Sequence, residues 1–465
     1  MSNSIVEPQN SGFIKDEGRE FFEQLIILGN GFDLACGLKS SYSDFFDYIF
    51  TKKSLQNNYW YKVFNYSNRD NSNKDNNWTD IESKILMELQ NLEFLFRFNL
   101  FKNIKEEIEN DKSIDADLDQ IKLKYDNDIQ TLVKETARVT DLDKKIRYHL
   151  ETNLEYGYLD GDSVIGTASI LIIYAFDFIS SIEKVHKLLK GELFSLESDF
   201  KKFLKQQIEL AIEEFDLAFN SDSQTDYKQL KQYFWTSRYL IWILLNDSLP
   251  AATQFDYYFD NSGDCLTVPP SFERFWKTHG NFSTLVHDLH ENYMIHNSIL
   301  SFNYTNPFQN SVRIRNIHGD LDSDNLIFGI DYDKLNSHFN VPPIKFSKSY
   351  RILENDTTSS FDITPRIEVI KFYGHGLGSA DYAYFQSIFD TVDLYHGTTK
   401  LIFFWSTYKG ADKDFLYKEQ VKKVVNLIEE YGSTFTNKNH GRNLLTKLQL
   451  ENRLIIKEIK SIENL

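Results

Sequence analysis

Three short stretches combine residue types and spacings that could do chemistry. In "LIILGNGFDLACG" (25–37) an apolar run leads into Gly29, Asn30, Gly31, Phe32 and Asp33, with a further glycine at Gly37. Residues without side chains allow a tight turn and let backbone N–H groups approach an anion closely, as in many strand-to-helix turns that hold a phosphate. The G-x-G-x-x-G fingerprint is not met, because the third glycine follows the second by six residues rather than three. Asp33 is acidic where a phosphate would sit, and that placement costs on the order of 1–4 kcal/mol. Asp33 is therefore expected to cap the helix or to face a ribose hydroxyl. The second stretch is a pair: "SFNYTNPF" sets Asn303 at one strand end, and "IRNIHGDLDSD" sets His318 at the next, where a turn exposes the imidazole. The third, "KFYGHGLGSADYAYF" (371–385), follows a strand with Gly374, His375, Gly376 and Gly378 before Asp381 opens a helix. Its glycines suit close backbone approach to a ligand, and Asp381 is placed to cap that helix.

The elements that must position these residues read as an α/β protein. Short runs rich in Ile, Leu, Val and Phe occur at 25–29, 298–304, 312–319, 325–331, 367–374, 399–405 and 453–459. Several are continuously apolar, as for strands covered on both faces. Helical patterns at 381–395 and 412–432 alternate with them, Gly432 serving as a helix stop. That alternation predicts a mainly parallel, doubly wound sheet, Rossmann-like in plan, with ligands at the carboxyl ends of strands near a switch point. The middle of the chain is different. Long amphipathic helices such as 78–94, 117–139 and 195–219 dominate it, and 69–77 is a polar loop. The predicted organisation is residues 1–50 as the first part of the α/β core, 51–297 as an all-α insertion and 298–465 as the second part of the core.

Composition narrows the function classes. The 465 residues carry a formal net charge of −17, which repels nucleic-acid backbone and anionic lipid, so neither is an expected partner. Two cysteines, Cys36 and Cys265, exclude a disulfide framework and a four-cysteine zinc site and fit a reducing cytoplasm. The start of the chain shows no basic segment before an apolar one, so no signal peptide is read. The apolar window 163–179 is interrupted by Asp177 and reads as a buried helix rather than a span. Acids at 320, 322, 324 and 331 imitate a calcium loop but lack its central glycine, and His287, His290 and His296 lack a catalytic zinc pattern. No metal is expected. No G-x-S-x-G elbow or Walker loop is present.

Taken in order, "LIILGNGFDLACGLKSSYSDFF", "NWTDIES", "SFNYTNPF", "IHGDLDSDNLIFGID" and "FYGHGLGSADYAYF" resemble the AbiH family of bacteriophage abortive-infection proteins. More distantly the layout is similar to sirtuins and SIR2-like NAD-consuming domains, whose first loop reads G-A-G-[IV]-S-x-x-x-G-[IL]-P. Gly29, Gly31, Gly37 and Leu38 keep that spacing, while Asp33 replaces Ser and Lys39 replaces Pro. The sirtuin zinc ribbon is absent.

The resemblance implies a cytoplasmic antiphage effector that cleaves the nicotinamide–ribose bond of NAD. By it, Asn303 orients the ribose and a water, His318 acts as general base, and Asp33 lies near the developing cation. Gly29, Asn30, Gly31, Phe32, Gly37, Gly374, His375, Gly376 and Asp381 would bind the nucleotide, with backbone amides at 29–32 and 374–378 on the pyrophosphate. Alternatives are a non-catalytic nucleotide-binding sensor that engages a phage or host protein, and a metal-dependent nucleotide hydrolase in which Asp33, Asp320 and Asp322 collect the ion. Homo-oligomers are left open.

Overall fold

The computed structural model describes residues 22–52, 58–61, 63–64, 81–97, 182–219, 233–247, 295–307, 314–322, 326–332, 335, 343–354, 363–378, 381–407 and 411–459. Six strands form one sheet: β1 (Phe22–Leu28), β2 (Ile295–Ser301), β3 (Ile314–Asn316), β4 (Ile367–Tyr373), β5 (Lys400–Trp405) and β6 (Leu454–Glu458). Every pairing is parallel and the order is β3-β2-β1-β4-β5-β6. The first strand in sequence is thus central, and the chain reverses its direction of travel across the sheet between β1 and β4. At such a switch point the loops leaving two neighbouring strands diverge and open a crevice.

Helices complete the layers: α1 (Asn30–Ala35), α2 (Tyr42–Thr51), α3 (Ile81–Arg97), α4 (Ile182–Phe219), α5 (Tyr233–Asn246), α6 (Lys348–Glu354), α7 (Tyr382–Thr391), α8 (Lys413–Ser433) and α9 (Lys438–Leu450). The central strands are buried on both faces, which is why they read as apolar runs. One face, with Ile26, Leu28, Val369 and Phe404, packs against Phe32 of α1 and Leu240, Ile241 and Leu244 of α5. The other, with Leu25, Ile27, Ile370 and Phe372, packs against α7, α8 and α9 through Phe385, Ile388, Val424, Leu427 and Leu444. Each fully buried Leu, Ile or Phe contributes about 1.5–3 kcal/mol, so these two layers fix the sheet firmly.

An α/β architecture on a parallel sheet is as the sequence predicts, but two local expectations are corrected. Of the apolar run 325–331, the described residues 326–331 form no strand; Ile330 makes one isolated bridge to Ser347. Its backbone is satisfied elsewhere: Ile327 N donates to His318 O (2.9 Å), Phe328 N to Glu197 Oε1 (2.6 Å) and Ile330 N to Phe346 O (2.9 Å). Gly432 is not a helix stop, for α8 continues to Ser433 and Thr434 caps it. A Cβ at Gly432 would lie 2.6 Å from Gly441 O, so this glycine allows α8 and α9 to touch. The windows 69–77, 117–139 and 163–179, Cys265, His287 and His290 lie outside the described residues. No helix among the described residues is long and apolar enough to cross a membrane.

Candidate functional site

The strand ends on either side of the switch point are stitched together by main chain. Gly29 N donates to Tyr373 O (3.0 Å), Gly31 N to Gly374 O (2.8 Å), Phe302 N to Leu28 O (2.8 Å) and Ile317 N to Ser301 O (2.9 Å). The loops after β1, β2, β3 and β4 therefore leave the sheet side by side. Between them lies a cleft of ≈ 560 Å³ whose wall includes Gly29, Asn30, Asp33, Asn303, His318, Gly374, His375, Gly376 and Asp381. Residues nearly three hundred positions apart meet here because β1 is paired directly with β2 and β4.

The glycines work differently from expectation. Gly374 has φ +71°, and a Cβ on it would fall 2.2 Å from Phe32 N. The two loops touch backbone to backbone, and the amides of Gly29, Gly31 and Phe32 are already committed to Tyr373 O, Gly374 O and Gly29 O. These three amides splice the strand ends together and are not free to cradle an anion. Gly31 and Phe32 do not line the cleft; Phe32 is buried against Tyr373, ring centroids 6.2 Å apart. Gly37 (φ +83°) stands apart as well, where Gly37 N donates to Leu34 O and Leu38 N to Asp33 O. That pair of bonds is the Schellman ending of α1.

Asp33 is inside α1, whose N-cap is Gly29, so it is no helix cap. It is 1 % exposed, and Oδ2 accepts from Thr305 Oγ1 (2.7 Å). Asn316 Nδ2 donates to both Asn303 O (2.7 Å) and Thr305 O (2.9 Å), holding the same turn from the end of β3. Asp33 thus clamps the Asn303 loop against α1. That turn directs Asn303 inward, where it is 4 % exposed and its Oδ1 has no hydrogen-bond partner among the described residues.

His318 is 6 % exposed, and its Nε2 likewise lacks a hydrogen-bond partner among the described residues. Asp381 Oδ1 lies 3.8 Å from it. Burial, then the ammonium of Lys348, pulls His318 down to about 3, against the opposing pull of Asp381. The histidine expected to titrate near neutrality is held uncharged instead. Asp381 stands at the N-cap position of α7 but makes no capping bond. Its carboxylate receives Lys348 Nζ at 2.9 Å on Oδ1 and faces His375 Nε2 at 3.4 Å on Oδ2. Burial would raise it, yet the His375 bond and the Lys348 charge hold it well below the usual carboxylate range. Leu377 N donates to His375 Nδ1 (2.9 Å), so the ring proton sits on Nε2, toward Asp381. Lys348, 3 % exposed, also meets Glu82 Oε1 at 2.7 Å and is held above its ordinary range despite burial.

An aromatic wall backs this polar set. The Phe302 ring lies 4.4 Å from that of His375 and 5.6 Å from that of His318. Tyr304 Oη donates to Ile327 O (3.2 Å), so the 3.1 Å contact with Tyr42 has Tyr42 as donor. Burial pushes both phenols up, and they stay protonated. Asp320 Oδ1 accepts from Asp322 N (2.9 Å) at an exposed turn, away from the Asp33–Thr305 bond. Among the described residues no group of three or more His, Cys, Asp or Glu could hold a metal ion, so Asp33, Asp320 and Asp322 do not collect.

Sequence reasoning missed Lys348, Glu82, Thr305 and the aromatic wall. Lys348 sits in "KFSKSYRIL", which looks like any exposed helix start. Its only signal is three-dimensional, a lysine buried between two acids from distant segments.

The molecule is thus an α/β protein with a strand-end cleft that combines buried Asn, His and acid groups. The chain belongs to the bacteriophage abortive infection AbiH family, whose model matches residues 25–156 and 189–404, and membership brings with it a role in abortive infection by phage. No curated protein and no solved structure matches it.

Proposed function

We propose that the cleft binds NAD or a related nucleotide and cleaves its nicotinamide–ribose bond, so that infection is aborted by loss of the dinucleotide. The observation that carries this reading is the pair of buried, unsatisfied atoms, Asn303 Oδ1 and His318 Nε2, on one cleft wall at the switch point. Buried polar atoms are normally paired, and two of them facing a cavity suit a polar ligand. The strand order β3-β2-β1-β4-β5-β6 supports it too, being the order of Rossmann-like dinucleotide-binding sheets.

In the proposed reaction Asn303 orients the ribose and a water. The water oxygen bonds to C1′, the C1′–N bond breaks, and its electron pair neutralises the pyridinium nitrogen as nicotinamide leaves. The proton released by the water passes to His318. The acids Asp33, Glu82 and Asp381 on the wall favour a developing oxocarbenium over an anion. Because the amides of Gly29, Gly31 and Phe32 are committed, the phosphates fall to the Gly376 side, where a Cβ would meet nothing within 4 Å.

Purified protein incubated with NAD, with and without EDTA, is expected to release nicotinamide and ADP-ribose independently of chelator. Asn303→Ala and His318→Ala should each lower turnover by about 10²–10⁴-fold while the melting transition is kept. Full turnover in both variants would remove the reading. A nucleotide-dependent melting shift without release would instead favour the sensor.

A further inference from the structure

We propose that Lys348 is a positioning residue of the cleft: by clasping Asp381 and Glu82 it fixes the Asp381 carboxylate between two imidazoles, so that Asp381 can steady His318 as that ring takes a proton. The inference rests on the reading in which His318 accepts a proton in the cleft, and it adds a residue that touches no substrate.

Geometry carries the argument. Lys348 Nζ reaches Asp381 Oδ1 at 2.9 Å from α6 and Glu82 Oε1 at 2.7 Å from α3. On the other side His375 Nε2, which bears its ring proton, faces Asp381 Oδ2 at 3.4 Å. The His375 tautomer is itself imposed by the Leu377 amide, and Leu377 adopts φ +52°, a conformation costly for a side chain of its kind. A carboxylate held from two directions cannot rotate away, and it stops 3.8 Å short of His318 Nε2. That gap is too long for a hydrogen bond in the resting state and short enough to close when His318 becomes an imidazolium. The carboxylate faces the same ring nitrogen that takes the proton, so once protonated that N–H donates to Asp381, and the opposite charge stabilises the imidazolium.

The titratable groups facing His318 come from several elements. Lys348 approaches from α6, Asp381 from the start of α7 and His375 from the loop after β4, while Tyr384 of α7 and Tyr304 of the loop after β2 lie at ring separations of 6.0 and 6.4 Å. Lys348 is the one ammonium among the described groups that act on His318. Its ammonium therefore opposes early protonation of His318, while the carboxylate it holds favours protonation at the moment of reaction.

The test combines ¹⁵N-histidine spectra of the ligand-free full chain with NAD turnover, for wild type, Lys348→Gln and Lys348→Arg. His318 of the wild type is expected to stay neutral from pH 8 to pH 5. In Lys348→Gln the onset of its titration should move upward, burial still opposing it, and in Lys348→Arg it should stay as in the wild type. Turnover should fall about 10²-fold in kcat for Lys348→Gln, with KM within a few-fold, and recover for Lys348→Arg. An unchanged His318 signal in Lys348→Gln, or an Arg variant indistinguishable from the Gln variant, overturns the proposal. If the wild type releases no nicotinamide, the NAD reading fails, yet the imidazole spectra still decide the role of Lys348. Should Lys348→Gln not fold, the double variant E82L/K348M, which removes one acid together with the cation, takes its place with the same expectation.

Discussion

Among the described residues two lysines are buried, Lys348 and Lys371, and they differ in what surrounds them. Lys348, beside the cleft, lies between two carboxylates and stays firmly charged. Lys371, on β4, is 0 % exposed under α5, and its ammonium meets Gln24 Oε1 (2.5 Å), Leu244 O (2.6 Å) and Asp247 O. Burial pulls Lys371 down to about 7, with Asp247 raising it and Lys457 lowering it. The first binds charged groups from separate segments into a functional wall. The second ties the carbonyl end of α5 to the sheet and has no formal counter-charge in contact. Burial alone does not mark a lysine as functional; the charge of its acceptors and the cavity beside it do.

The largest effect should come from breaking the charged clasp. Lys348→Met leaves the part-buried Glu82 and Asp381 without their shared cation, at a cost of up to about 3–5 kcal/mol. Lys371→Met leaves neutral acceptors instead, so about 1–3 kcal/mol is expected. Urea denaturation of both variants at pH 7 measures the contrast, and equal losses would erase the distinction.

Their pH dependence should diverge as well. The folded pKa of Lys371 lies below its unfolded value of 10.5, so between about pH 7 and 10.5 the unfolded chain binds the extra proton. Stability then rises with pH, by at most about 1.4 kcal/mol per unit. For Lys348 the folded pKa is raised above the same unfolded value, so its contribution is fully present below 10.5 and lost only above it. The difference between wild type and Lys371→Met should therefore grow from pH 7 to pH 9, while that between wild type and Lys348→Met stays flat. A flat difference for Lys371 would mean that its three acceptors keep it charged.

The same contrast explains what could be read from the sequence. Strand runs such as 25–29 and 399–405 were legible because strands covered on both faces are largely apolar. Asn303, His318 and Asp381 were legible because strand ends followed by turns are where a parallel sheet presents side chains. The run 325–331 failed because the sequence cannot tell whether extended backbone finds a strand or, as here, Glu197 and Phe346. The reading of free amides at Gly29, Gly31 and Phe32 is corrected for a related reason. Glycines permit an amide to face a phosphate or a neighbouring carbonyl equally well, and Gly374 supplied the carbonyl. Lys348 and Lys371 were invisible, since a lysine's environment is set by residues hundreds of positions away.

The smallest stability effect is expected within the cleft, from a pair that separates packing from binding. At Gly374 an added methyl would strike Phe32 N at 2.2 Å in a backbone with φ +71°, so Gly374→Ala should cost about 2–4 kcal/mol through strain and overpacking. At Gly376, two residues on, the methyl would meet no atom within 4 Å and would project beside the cleft wall. Gly376→Ala should therefore move the melting midpoint little, or raise it slightly, because alanine narrows the unfolded ensemble by about 0.4–1 kcal/mol. If the ligand's phosphates do lie on this side, the same methyl takes their space, and the NAD-induced melting shift should shrink. A variant that keeps both its stability and its full ligand shift would move the nucleotide away from the Gly376 side of the cleft.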